Sequence, residues 1–387
     1  MGVNLKTSSL ERLLFVVNDL SFFYSHRYPL ALAAVKKGYE VHVIFGDLAS
    51  HSKSGFSNGI HFHYVHQKRG KISPLSDFLY FLGLFKMFKT IKPKIVHLIT
   101  IKPILYGGLV ARLVNSQLTI SAFAGLGSLF SSKNSLKFTF IRKLVKPIFH
   151  YSLNGHRQII LVQNETDKML ISSFSNVDHK RFALIKGSGV DLSRYQITPE
   201  PTGNIRVVMA SRMLWTKGVR EYVDAARLII KKTKNIDFIL AGSPDPGNPD
   251  TVPLNYLQKF HSEGVIEYLG FVDDIASLYQ SCHLVVLPSF YPEGIPKCLI
   301  EAAACGRPIV TTDMPGCRDT VLDGTSGTLV SARDIESLAE AIFELANSPI
   351  TRVKMGLEAR KLAEQEFGIE NVVSKHLDIY RLAYNYK

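Results

Sequence analysis

Short apolar runs recur along this chain, separated by stretches in which apolar residues return at the spacing of helical faces. The runs at 13–17, 40–45, 95–99, 118–123 and 159–163 read as buried strands, and 22–37 reads as a helix after the first of them. Strands alternating with helices predict a parallel sheet covered on both faces. A Pro- and Gly-bearing stretch, 196–204, interrupts the series and reads as a linker. A second series follows, with strands expected at 205–210, 237–241, 265–269, 283–287 and 308–311. The pattern therefore predicts an α/β protein of two doubly wound domains, 1–196 and 204–368, which suits 387 residues. Three helical stretches close the chain. The last runs over about 369–384, and the segment 369–387 can fold back onto the first domain.

In such sheets ligands bind at the carboxyl ends of the strands. In the first half these ends carry Asn18-Asp19, Thr100-Ile101-Lys102-Pro103 and Gly125 with Gly127, and Ser25-His26-Arg27 follows nearby. His26 and Arg27 read equally as a surface helix start, and the two glycines as turn residues. In the second half the strand at 283–287 leads into Glu293-Gly294-Ile295-Pro296-Lys297, and Glu301 follows eight residues after Glu293. Pro296 suits the first turn of a helix, which places Glu293 on the loop and Glu301 inside the helix. A helix mouth opened by Gly294 and Pro296 has free N–H groups and a partial positive charge, which suits a diphosphate. Glu293 and Glu301 could then hold hydroxyls on either side of it, as a nucleotide sugar requires. The plainer alternative is a capped helix with one solvated glutamate.

Charge changes the picture of the first half. Residues 1–202 hold 26 Lys/Arg against 10 Asp/Glu, whereas the remainder holds 20 against 23, so the net +13 comes from the first domain. Two of its segments, 68–94 and 133–151, mix Lys and Arg with Phe and Tyr, and Asp77 is the single acid between Val65 and Ile160. Such segments can lie in an anionic bilayer interface, although a core-facing helix with a solvated basic face has the same composition. The longest apolar run in this region, 78–85, is far too short to span a bilayer. The apolar run at 13–17 is too short for a signal peptide, and Lys6 stands where a myristoylation motif needs Ser or Thr, so a cytoplasmic location is expected. Cys282, Cys298, Cys305 and Cys317 form no C-x-x-C pair and read as reduced thiols. Asp245, Asp250, Asp273 and Asp274 form no D-x-D after a strand and read as loop acids, so no metal site is expected.

Four further stretches sharpen the reading: Gly187-Ser188-Gly189-Val190-Asp191, Ser211-Arg212 leading to Lys217-Gly218, Gly270-Phe271-Val272, and 316–327. With Glu293 and Glu301 they resemble, in order and spacing, the retaining family 4 glycosyltransferases of the GT-B fold. The resemblance implies two Rossmann-like domains facing a cleft. It further implies that Arg212 and Lys217 neutralise the donor diphosphate, that Glu301 binds the ribose hydroxyls and that Glu293 binds the donor sugar. Backbone from Gly294, Ile295, Pro296 and Lys297 would assist, and the nucleobase would lie near Gly270, Phe271 and Val272. The leaving nucleoside diphosphate gains negative charge in the transition state, which is why two cations are needed there.

In the first half, Phe22-Phe23-Tyr24-Ser25-His26-Arg27, Lys102-Pro103 with Tyr106-Gly107, and Gly125-Leu126-Gly127 are similar to bacterial enzymes that extend sugars on polyprenyl diphosphate for O-antigen, capsule or N-glycan precursors. The chain departs from many family 4 members in lacking a Gly-Gly pair after the first strand and a histidine in the loop after the fourth. His26 is the better candidate for the catalytic role there, since His97 lies inside a strand. The resemblance implies a metal-independent enzyme that moves a hexosamine or hexose from a UDP-sugar to a polyprenyl-diphosphate-linked sugar, with no separate cofactor. It would act as a peripheral protein on the cytoplasmic face of an anionic membrane. A UDP-sugar epimerase on the same fold and a basic non-catalytic membrane- or nucleic-acid-binding protein are the alternatives. The chain holds no nucleic-acid reader motif, and the paired glutamates argue against both non-catalytic readings.

Overall fold

The computed structural model describes residues 11–47, 58–67, 73–125 and 136–385. Its first half builds a seven-stranded sheet from β1 (Glu11–Val17), β2 (Tyr39–Phe45), β3 (Ile60–Tyr64), β4 (Ile95–Ile99), β5 (Leu118–Ala122), β6 (Gln158–Val162) and β7 (Phe182–Leu184). They lie in the order β3-β2-β1-β4-β5-β6-β7, with every pairing parallel. The second half builds six strands, β8 (Ile205–Ala210), β9 (Ile236–Ala241), β10 (Glu267–Gly270), β11 (Leu284–Leu287), β12 (Ile309–Thr312) and β13 (Gly327–Val330). These run in the order β10-β9-β8-β11-β12-β13, again all parallel. Both sheets reverse their winding beside their first strand, at β1/β4 and β8/β11, and each reversal opens a crevice at the carboxyl edge.

Three edge strands, β3, β7 and β13, are absent from the pattern read in the sequence, and β10 lies about two residues later than expected. The single helix expected over 22–37 is two helices, Leu20–His26 and Tyr28–Lys36, broken at Arg27 (φ −130°, ψ −12°). Pro29 explains the break, because it has no N–H to give the Ser25 carbonyl and is instead placed in the first turn of the second helix, where none is needed. The helix expected to contain Pro296 in its first turn is Lys297–Ala304, with Pro296 one place earlier as its cap.

One apolar cluster fills the second domain, and two fill the faces of the first sheet. The last helix, Ile369–Asn385, leaves the second domain and buries Val372, Leu377, Tyr380 and Ala383 in the first. There the Tyr380 hydroxyl meets Nδ1 of His97 at 2.7 Å, and His97 is wholly buried, so it is a core residue. The chain thus crosses between domains twice. The crossings lie side by side, with the Val190 N–H donating to the Phe367 carbonyl at 2.8 Å and the Ile369 N–H to the Val190 carbonyl at 3.0 Å. A Cβ on Gly189 would stand 2.9 Å from the Ile369 Cα, so this crossing admits only glycine.

Candidate active site

The carboxyl ends of β8, β9, β10 and β11 assemble one side of the cleft. Arg212 and Lys217 lie on the loop after β8, and Lys217 pairs with Oε2 of Glu293 on the loop after β11. The other carboxylate oxygen of Glu293 is buried with no partner among the described residues. Arg212, exposed, is held by Asp245 at 3.0 Å. Asp250 pins the loop between them: its carboxylate accepts the Thr216 N–H at 2.9 Å and the Thr216 hydroxyl. Asp245 and Asp250 were unremarkable as loop acids in the sequence, yet Asp245 holds Arg212 and Asp250 holds the turn that leads to Lys217. Gly270 closes the row, its carbonyl accepting the Gly242 N–H at 2.6 Å, and Phe271 beside it is 75% exposed, an open aromatic face.

Helix Lys297–Ala304 carries Glu301, which is nearly buried and held by the Tyr195 hydroxyl at 2.8 Å and by Lys297 at 3.4 Å. Burial pushes its carboxyl pKa up, and Lys297 and Tyr195 oppose that shift. Of the backbone expected to face a phosphate, Pro296 has no N–H and the Ile295 N–H is taken by Oε1 of Gln163 at 2.6 Å. Gly294 and Lys297 remain the donors at this mouth.

The first domain closes the cleft from the other side. Lys297 reaches across to donate to the Ser25 carbonyl at 2.8 Å, the acceptor that Pro29 leaves without a helical donor. His26 stacks on Phe22 at 4.2 Å, and its Nδ1 lies 2.6 Å from the Ser25 hydroxyl. Ser25 itself donates to the Ser21 carbonyl at 2.9 Å. The Phe22 ring and the Ser25 hydroxyl together fix the orientation of the imidazole. Burial, with Lys297, Arg27 and Arg212 nearby, pulls the His26 pKa down to about 3, so the ring is neutral at physiological pH. Gly125 abuts the Glu293–Gly294 backbone, while Gly127 lies outside the described residues.

The sites named in the sequence thus converge on one cleft of two Rossmann-like sheets. Residues 204–348 match the family model described as glycosyl transferases group 1, and residues 12–164 match the model described as glycosyl transferase 4-like. The chain is a glycosyltransferase of this family. It is 27% identical over 330 residues to the N,N'-diacetylbacillosaminyl-diphospho-undecaprenol alpha-1,3-N-acetylgalactosaminyltransferase of Campylobacter jejuni, covering 81% of this chain and 83% of that one. To the UDP-Gal:alpha-D-GlcNAc-diphosphoundecaprenol alpha-1,3-galactosyltransferase of Escherichia coli it is 23% identical, covering 80% of each. Sucrose-phosphate synthase from Thermosynechococcus elongatus shares the GT-B fold, with a TM-score of 0.79 at 18% identity over 97% of this glycosyltransferase and 100% of that chain.

Residues that sequence reading missed are Gln163, Asn164, Tyr195, Asp245 and Asp250. Each acts by holding a charged side chain, the turn that leads to Lys217 or the Glu293 loop in place, a role that leaves no local motif.

Proposed function

We propose that this glycosyltransferase moves a hexosamine or hexose, in the first instance an N-acetylhexosamine, from its UDP donor to a sugar carried on polyprenyl diphosphate. The product is α-linked, the anomeric configuration is retained, and no metal takes part. The carrying observation is the convergence of Arg212, Lys217, Glu293 and Glu301 on one helix mouth opposite His26. Arg212 and Lys217 take the diphosphate as charge builds on it, Glu301 the ribose, Phe271 the base face, and Glu293 the sugar hydroxyls. Neutral His26 stands on the acceptor side, its ring held by Phe22 and Ser25. The names of the Campylobacter and Escherichia relatives support a lipid-diphosphate acceptor, and the latter a UDP donor.

The acceptor would be met at the cytoplasmic face of an anionic membrane. Helix Pro74–Ile91 supports this: it buries Asp77, Tyr80, Leu84, Phe88 and Ile91 on one face and leaves Leu75, Phe78, Leu79 and Leu82 exposed on the other. Lys86 and Lys89 continue that outer face, so the helix shows apolar residues and then cations along one line. Tyr80 and Phe88, grouped with the interfacial aromatics on sequence alone, belong to the core, as does Phe149 of the helix Leu136–Leu153. No described helix is long and apolar enough to cross a membrane.

Trp215 is the chain's one tryptophan and stands two residues before Lys217, so its fluorescence reports on the donor loop. Titrating UDP-, GDP- and other sugar nucleotides against it should single out a UDP-sugar, and transfer to a lipid-linked acceptor should persist in excess chelator. Arg212→Ala or Lys217→Ala should lower turnover by roughly 10² or more. A response to GDP-sugars alone, a strict need for Mg²⁺, or near-normal turnover in both variants would overturn the proposal.

A further inference from the structure

The loop that carries Glu293 is not fixed by its own domain alone. Within the second domain the Glu293 N–H donates to the Pro315 carbonyl at 3.1 Å, the Phe290 N–H to the Thr216 carbonyl at 3.2 Å, and Lys217 pairs with the Glu293 carboxylate. Two further polar links come from the first domain, just after β6. Asn164 Nδ2 donates to the Glu293 carbonyl at 3.2 Å, and Gln163 Oε1 accepts the Ile295 N–H at 2.6 Å. Both side chains are buried, at 2% and 7% exposure, so neither link competes with bulk water. The amide orientations are forced: Asn164 Oδ1 accepts the Asp167 N–H at 2.8 Å, which turns Nδ2 toward Glu293. Packing agrees with the bonding. A Cβ on Gly294 would fall 2.3 Å from Gln163 Oε1, and one on Gly316 would fall 1.8 Å from the Gly294 carbonyl. The loop is clasped between two domains with no room for a side chain on either face.

We propose that Gln163 and Asn164 are positioning residues that set the sugar-binding loop from across the cleft, so that Glu293 is aligned only when the domains are closed. The inference rests on the reading of Glu293 as the donor-sugar ligand. Arg212, held by Asp245, and Glu301, held by Tyr195, keep their places through contacts that do not involve this clasp; Lys217 alone pairs with Glu293. Nucleoside diphosphate binding should therefore be largely independent of it, whereas recognition of the sugar and the rate of transfer should not. This separates binding of the nucleotide, which one domain performs, from commitment to transfer, which needs both.

The test uses the full chain and variants that spare the fold. Asn164→Ser keeps a side-chain oxygen to cap the helix Glu165–Ser175 and removes the donor to Glu293; Gln163→Leu keeps the bulk and removes the acceptor, whereas Gln163→Glu keeps the acceptor. Asn164→Ser and Gln163→Leu should each lower kcat by roughly tenfold, the loss of one buried hydrogen bond at about 1.4 kcal/mol per decade. UDP affinity, read from Trp215 fluorescence, should stay within about twofold of the parent, the preference for UDP-sugar over UDP should narrow, and Gln163→Glu should restore much of the rate. A merely structural role would instead lower the melting temperature and leave that preference untouched. Parental kcat in both variants beside an inactive Glu293→Ala overturns the clasp alone. Parental kcat in Glu293→Ala overturns the reading of the sugar site beneath it.

Discussion

Gly125 offers the most direct perturbation of domain closure. Its φ is +94°, and a Cβ there would stand 2.9 Å from the Gly294 N and 3.4 Å from the Glu293 carbonyl carbon, both main-chain atoms of the opposite domain. Ordinary carbon–nitrogen contact lies about 0.5 Å further out, so Gly125→Ala must part the domains by several tenths of an ångström. That displacement weakens the Gln163 and Asn164 links, worth about 1 kcal/mol each, whereas the strain of the left-handed backbone is carried in the open and closed states alike. The closed state should lose roughly 2 kcal/mol, which at about 1.4 kcal/mol per decade is roughly 30-fold in turnover. Gly264→Ala is the control, because its φ is +69° but nothing lies within 4 Å of the added Cβ. Steady-state transfer and Trp215 titration of UDP should show Gly125→Ala slow but still nucleotide-competent and Gly264→Ala near parental in both. Turnover by Gly125→Ala within twofold of Gly264→Ala would refute the claim that a closed interface aligns the loop.

Two other outcomes are expected. Asp167 is fully buried behind Asn164, and burial, opposed by the Asn164 side chain and reinforced by Asp319 across the interface, pushes its pKa to about 7 from an ordinary 3.8. The native state therefore keeps a proton that the unfolded chain gives up. This group's share of stability falls as pH rises from about 4 to about 7, by up to roughly 4 kcal/mol, and then levels off. Asp167→Asn should gain on the parent in melting temperature as pH goes from 5 to 8, and a constant difference would count against the shift. Replacing Lys86, Lys89, Lys143 and Lys146 by Glu should abolish salt-sensitive binding to anionic vesicles and activity on lipid-linked acceptor while UDP affinity persists; parental vesicle binding would remove the membrane face from the proposal.

The donor side of the enzyme was legible because its chemistry is local. A short buried strand, a glycine turn and a helix mouth stand together within about 20 residues of sequence, so Glu293 and Glu301 could be picked out by type and spacing, whereas Arg212 and Lys217 entered only through the family resemblance. Gln163 and Asn164 could not: polar residues after a strand are ordinary helix caps, and their partners lie 132 and 129 residues away. Asp245 and Asp250 were hidden for the same reason, since a loop carboxylate declares its partner only once β8 and β9 lie side by side. Among the strands, β7 has three residues and β3 alternates His with apolar positions at a half-exposed edge, so neither rises above the turn signal around it. The break at Arg27 was available in the sequence through Pro29, but continuous apolar spacing on both sides favoured one helix.

The paired crossings at Val190 and Gly368 decide how the molecule can move. One parallel bridge, Val190 with Gly368, laces them, and Gly368 is a single extended residue between the helical turn Ala363–Phe367 and the last helix, so the tie resists sliding but bends readily across its width. The domains are therefore hung like a door on two pins at one end of the cleft, with a single easy axis of swing. On the proposed closure, Gly125 returns to Gly294 and Ser25 to Lys297 in one register. The Gly187-Ser188-Gly189-Val190-Asp191 stretch, one of those that carry the family resemblance, is then a bearing.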